Sequence, residues 1–315
     1  ANVDNKYDVR VSINSGKKKI YEKEFKFKTK AEIINNIVND VKNKLVKKHK
    51  SKPLYVKKLI VALKNKEVDK CDIKIKNFTD MSEVLIPKVK NLKYFNSFDN
   101  KLVYVSNNNL HYYVDKGKKN KVLQNINRKY ANSFFFQPKM IDNKNLLATL
   151  VSRKDFSSQI VKIDIENGDM NTIAHSEKIF LNPVQGRDDM IFFQMLEGAY
   201  IYVYQMDLKN NKIMRLSRKP MINNLNMSIS PDGKKLAIIQ EDDSKSRIML
   251  IFDTITKKMS QVFSSATLGC DVNFFANDEI AFQDKGQKSI LSYNVNSKSV
   301  KRIYTCDDIH SFHIQ

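Results

Sequence analysis

Across residues 7–13 (YDVRVSI), Tyr7, Val9, Val11 and Ile13 alternate with polar neighbours. After Asn14-Ser15-Gly16 the alternation resumes through Tyr21, Phe25 and Phe27. Successive strand side chains point to opposite faces, so the two runs predict a β-hairpin turning at the glycine. Thr29, with Glu32 three places on, has the capping-box spacing that starts a helix. Ile33, Ile34, Ile37, Val38, Val41 and Leu45 then recur at helical spacing. Lys47-Lys48-His49-Lys50 brings positive charge to the expected helix end near Val46. Residues 1–52 therefore read as a small α+β segment, a hairpin plus one amphipathic helix, with Ser51-Lys52-Pro53 as linker.

From residue 53 the pattern changes to short apolar runs between polar turns. One unit, an acidic or Asn turn followed by an apolar run, recurs at Asp99 (FDNKLVYV), Asp142 (IDNKNLLATL), Asp188 (RDDMIFF), Asp232 (SPDGKKLAII) and Asp278 (ANDEIAF), in steps of 43, 46, 44 and 46 residues. A second unit, an alternating strand that closes on Asp or Asn before a Lys-rich turn, recurs at Asn77, Asp115, Asp164, Asp207, Asp253 and Asn294. A period near 44 holding four short strands is the signature of a propeller blade. In one unit the strands read as residues 226–230, 235–240, 247–252 and 259–263. Ser230-Pro231-Asp232-Gly233 supplies the turn chemistry between the first two, proline presetting φ and glycine accepting positive φ. Six copies of the second unit predict six blades. The first blade begins at its second strand (KLIVAL, residues 58–63), and the chain ends on IHSFHIQ where an inner strand is due. The C-terminus should therefore complete blade one and close residues 53–315 into a ring without free sheet edges.

A formal charge of +21 ordinarily points to nucleic acid or another anionic partner. Lysine, however, far outnumbers arginine, whose planar fork is the better phosphate reader. The richness in Lys, Asn and Ile reads as a compositional bias spread over the surface, and nucleic acid is not the expected partner. No run approaches the roughly 20 apolar residues of a membrane span. Cys71, Cys270 and Cys306 are too few for a disulfide framework and form no CxxC pair. Opening at Ala1 without Met or an apolar leader fits a mature exported chain. GxSxG, HExxH and P-loop motifs are missing from the sequence. His310 and His313, near Cys306, Asp307 and Asp308, form the one tempting metal cluster. Positions three apart on a strand face opposite ways, so no metal is expected there. Glu241, Asp242 and Asp243 read as a solvated loop, because they lack EF-hand spacing. The runs Phe134-Phe135-Phe136, Tyr112-Tyr113 and Phe192-Phe193 read as strand core rather than a base-stacking platform. No cofactor is expected.

Residues 228–238 (SISPDGKKLAI) resemble the strand–turn–strand repeat of the TolB family, the periplasmic propellers of the Tol–Pal envelope system. The hairpin and the helix AEIINNIVNDVKNKL resemble the part of that family just before its propeller. The resemblance spans nearly the whole chain in architecture and implies a periplasmic scaffold. Its implied partner is an envelope protein such as a peptidoglycan-associated lipoprotein. That family carries about twice as much chain before its propeller, including the segment that contacts TolA, so the resemblance does not extend to TolA. Loops joining second to third strands, and outer strands to the next inner one, share a propeller face, and a rigid sheet makes such loops natural contact sites. That face should gather Arg153, Lys154, Asp155, Glu197, Arg218, Lys219, Met221, Asp242 and Asp243, a mixture suited to a protein partner. No catalytic residues are expected. A propeller binding an anionic polymer, or an enzyme with its site in the channel, are the other readings. The latter needs carboxylates on the inner strands, read here as NMSIS, NFFA and SFHIQ, which hold none.

Overall fold

The computed structural model describes residues 7–15, 18–27, 56–64, 69–99, 101–114, 119–217, 226–241, 246–306 and 309–314. The chain divides into two units, Ala1–Tyr55 and Val56–Gln315. In the first, Tyr7–Ser15 and Lys18–Phe27 pair antiparallel, with a register shift at Ile13/Asn14. This is the hairpin that the alternation predicts. The helix expected after Thr29 and the linker at Ser51-Lys52-Pro53 lie outside the described residues.

The second unit is a six-bladed β-propeller of four-stranded antiparallel sheets. Blades 2 to 6 begin with the inner strands Leu92–Phe98, Ser133–Met140, Ile179–Gln185, Met227–Ile229 and Leu268–Ala276. Blade 1 takes its inner strand from the far end of the chain. Ile309–Ile314 pairs with Lys58–Lys64, setting Phe312 opposite Val61 and Ile314 opposite Leu59. Closure by the C-terminus is thus observed, and every blade has its four strands.

Burial explains why the second strands are continuous apolar runs. Leu59–Ala62, Leu236–Ile239 and their counterparts are buried on both faces, because each blade is packed between two others. The fourth strands, such as Lys212–Arg215, are the solvent edge. Five apolar clusters fill the junctions of blades 1 with 2, 2 with 3, 3 with 4, 4 with 5 and 5 with 6. The seam between blades 6 and 1 combines buried apolar residues, among them Leu59, Val61, Ile290 and Phe312, with hydrogen bonds. Ile280 and Phe282 pack toward blade 5, so by alternation Ala281 and Gln283 face blade 1. There the Gln283 amide donates to Ile309 O at 3.2 Å and Asn273 donates to Phe312 O at 3.3 Å.

Both repeated aspartate series sit at turns of the same face. Asp99, Asp142, Asp188, Asp232 and Asp278 lie between inner and second strands, while Asn77, Asp164, Asp207, Asp253 and Asn294 close the third. The latter cap their turns: Asp253 Oδ1 accepts from Ile255 N (2.9 Å) and Thr256 N (2.7 Å), and Asn294 Oδ1 from Asn296 N and Ser297 N. Asp115 lies outside the described residues. One element has no counterpart in the sequence reading, the six-residue helix Gln124–Lys129 between blades 2 and 3. Its buried Ile126 joins the junction core, and Asn127 bonds both the N–H and the C=O of Leu110. So short a run carries no helical period to detect.

Candidate functional site

Pairing in this propeller is irregular at two levels, between third and fourth strands in blades 1, 3, 5 and 6 and along the inner strands that line the axis. Register shifts occur at Leu92/Tyr94, Phe136/Lys139, Leu181/Val184, Leu268/Val272 and Ile309/Ser311, in the inner strands of blades 2, 3, 4, 6 and 1. In blades 3 and 4 the shift contains Gln137-Pro138 and Asn182-Pro183, where proline cannot donate to a ladder and the preceding residue has positive φ. Bulges re-aim side chains. Here they border an axial cavity of about 240 Å³ to which all six blades contribute.

In and around the cavity wall, polar side chains of the inner strands bond from one blade to the next. Asn96 Oδ1 accepts from Met140 N (2.8 Å), Gln137 Oε1 from Asn182 N (2.6 Å) and Ser228 Oγ from Phe274 N (2.9 Å). His313 Nδ1 lies 2.8 Å from Asn273 Oδ1 and 3.2 Å from Asn96 Nδ2, so it meets a partner in either neutral tautomer. Among these amides sit two opposite charges. Lys139 Nζ donates to Asn226 Oδ1 at 3.0 Å, and Asn226 Nδ2 reaches Asp271 Oδ1 at 3.4 Å, so one amide stands between ammonium and carboxylate. The Phe312 N–H donates to the other Asp271 oxygen at 3.3 Å.

Desolvation dominates the titration of this set. It lowers Lys139 to about 8 against the opposing pull of Asp271. It raises the Asp271 carboxyl above its ordinary value, although Asn226 and Lys139 counteract it. His313 falls to about 3 through desolvation and the nearby Lys139 charge, and His310 is lowered by desolvation too.

Two sequence expectations are corrected here. A regular strand would turn His310 and His313 apart, but the shift between Ile309 and Ser311 lets both line the cavity. The segments NMSIS, NFFA and SFHIQ hold no carboxylate, yet blade 6's inner strand starts at Leu268, five residues before NFFA, and carries Asp271. Among the described residues no group of three or more His, Cys, Asp or Glu is placed to hold a metal ion. Cys71, Cys270 and Cys306 are free thiols.

On the loop face, Arg153, Lys154 and Asp155 lie between the second and third strands of blade 3, and Glu197 lies at the equivalent turn of blade 4. The Arg153 guanidinium stands 6.0 Å over the Phe134 ring. Asp155 Oδ1 accepts from Ser157 N and Oγ, and these bonds lower its carboxyl to about 2. Glu197 Oε1 accepts from Lys178 Nζ (2.7 Å) and the Tyr204 hydroxyl (3.0 Å), with Lys178 the main cause of its lowered pKa. Arg218, Lys219, Met221, Asp242 and Asp243 lie outside the described residues. Beside these charged groups project two aromatics that the sequence reading missed, Phe156 at 58% exposure and Tyr200 at 51%. Nothing in a linear pattern distinguishes them from the core aromatics.

A second depression of about 630 Å³ lies between blades 1 and 2 and includes Lys70, Asn91, Asn107 and Asn108. Lys93 and His310 line both it and the axial cavity, so the two adjoin.

No protein-family model and no curated protein sequence matches the chain. Solved structures do match it. It is similar to a chain of the nidogen/laminin complex (TM-score 0.57, 8% identity, covering 82% of this chain and 97% of that one). It is also similar to TolB from Acinetobacter baumannii (0.54, 13%, 79% and 69%) and to an oligogalacturonate lyase in complex with manganese (0.51, 13%, 75% and 71%). At such identities the shared property is the fold. TolB is one of several propeller neighbours, and these neighbours include enzymes as well as TolB. No helix among the described residues is long and apolar enough to cross a membrane.

Proposed function

We propose that this chain is a TolB-like periplasmic binding propeller whose loop face contacts an envelope protein such as a peptidoglycan-associated lipoprotein. The observation that carries this reading is the pair Phe156 and Tyr200, exposed on the equivalent loops of adjacent blades and flanked by Arg153, Lys154 and Glu197. Aromatics and arginine are the residues that anchor protein interfaces, and scattered charges around them form a polar rim. The charged groups are already oriented by Phe134, Ser157 and Lys178, which limits the ordering cost on association.

Capture from a bacterial envelope extract tests the reading, with the immobilised chain compared against a Phe156→Ser/Tyr200→Ser variant. The parent should retain an envelope lipoprotein, and the variant should hold it at least tenfold more weakly, since interface anchors are worth roughly 1–2 kcal/mol or more each. Retention of no envelope protein, or equal retention by both, refutes it.

A second reading, an enzyme with its site in the channel, is favoured by one observation. Lys139, lowered to about 8 beside Asp271, has the near-neutral pKa useful in a general base. Oligogalacturonate with added manganese is the first substrate to assay, and absence of unsaturated product rejects it for that substrate.

A further inference from the structure

The axial cavity combines features that the loop-face reading does not use. Its volume of about 240 Å³ far exceeds the roughly 10–15 Å³ that holds one water, so it has room for a small organic molecule. All six blades wall it, and side-chain hydrogen bonds join the inner strands of blades 2 and 3, 3 and 4, and 5 and 6, so much of its shape is set before anything enters. Preformed concave sites with a few convergent polar groups are the usual form of small-ligand sites.

The charges that line it are unequal. Among the described lining residues Asp271 is the single carboxylate and Lys139 stands across Asn226 from it, while the exposed Lys93 and Lys285 border the cavity, Lys93 Nζ donating to Asn108 Oδ1 at 2.8 Å. Desolvation lowers the pKa of both His310 and His313. Three lysines therefore line the cavity against one carboxylate. Lys139 is the least exposed of the three. Its ammonium has three N–H donors and bonds the Asn226 oxygen, which holds it off Asp271 instead of letting the two meet as an ion pair. A cation enclosed by protein walls is costly unless paired, and low-dielectric walls concentrate its field on whatever enters. The neighbouring depression, sharing Lys93 and His310, adjoins the cavity on the side of the loop face.

We infer that the axial cavity is a binding site for a small dianion, a dicarboxylate or inorganic phosphate, held by Lys139 with Lys93 and Lys285 as flanking charges. The amides and the Asp271 carboxylate supply acceptors for hydroxyl or protonated oxygens on such a ligand. The proposal does not depend on the loop face, and the two tests fail separately.

Calorimetric titration of the intact chain with malonate and with phosphate, at fixed pH and ionic strength, is the experiment. Acetate and the dication putrescine serve as controls. Saturable one-to-one binding of malonate, of phosphate or of both is expected, at least tenfold tighter than acetate and with none for putrescine. Binding of only one assigns the site to that source. Lys139→Met should weaken binding at least tenfold, while Lys139→Arg restores most of it. Lys285→Met, away from those inter-blade bonds, should weaken it severalfold and serves if Lys139→Met does not fold. The Phe156→Ser/Tyr200→Ser variant should bind as the parent does. No saturable binding of either dianion overturns the proposal. So does unaltered binding in Lys139→Met, or in Lys285→Met where Lys139→Met does not fold.

Discussion

Replacing Phe312 by alanine asks what keeps the ring shut. Its side chain is 3% exposed and lies opposite Val61, in the strand that the C-terminus contributes to blade 1. Its backbone is held independently, the N–H by Asp271 and the C=O by Asn273. The substitution therefore leaves the hydrogen bonds of the seam in place and removes only apolar burial and packing. Emptying a buried phenylalanine site costs about 3–5 kcal/mol where the surroundings cannot collapse, a large share of the roughly 5–15 kcal/mol of a typical domain. Phe312→Leu should cost less than about 1.5 kcal/mol. Val300→Ala, on an exposed outer strand, should stay within about 0.5 kcal/mol. Urea unfolding followed by far-UV circular dichroism at 25 °C measures all three. A fall in both midpoint and m for Phe312→Ala would report an opened ring ahead of global unfolding. If Phe312→Ala unfolds within about 1 kcal/mol of the parent, amide bonds rather than burial close the seam, and the reasoning is refuted.

Three further outcomes are expected. His313 titrates at about 3 when folded, against about 6.5 when unfolded. Between those values the unfolded chain binds the extra proton, so stability falls as pH falls; from pH 7 to 5 the loss is about 1–2 kcal/mol. His313→Asn should flatten that part of a stability–pH curve, and an unchanged slope would remove His313 as its source. Gly233 has φ +68°, and a Cβ there would press on Arg187; Gly233→Ala should destabilise by about 1–2 kcal/mol in the same urea assay, and a neutral result would mean that the turn relaxes. Asp253→Ala removes two turn bonds and should cost roughly 1–2 kcal/mol, whereas Asp253→Asn should stay within about 0.5 kcal/mol, because Asn294 and Asn77 cap equivalent turns; equal losses in both would deny the capping role.

The blades were legible because one local device repeats. An Asx turn must place its side-chain oxygen near the next backbone amides whatever the neighbours do, so Asp164, Asp207, Asp253 and Asn294 mark strand ends in the sequence as they do in space. The missing inner strand was legible from counting, as Ile309–Ile314 confirms. The channel was not, because its composition depends on register. A shift of one residue exchanges faces, and the shifts at Leu268/Val272 and Ile309/Ser311 turned Asp271, His310 and His313 to one cavity against simple alternation. Phe156 and Tyr200 escaped notice for another reason. Exposure is a property of the surrounding loops, and their residue types also suit the core.

The pairing of Phe312 with Val61 joins positions 251 apart. At a ribosomal rate of about 5–20 residues per second, Leu59–Ala62 emerges roughly 13–50 s before the segment that will cover its open flank. Those residues form an unbroken apolar stretch, the kind of strand that recruits other chains when left uncapped. Throughout that interval the nascent chain needs shielding, by a chaperone or by delay in folding blade 1.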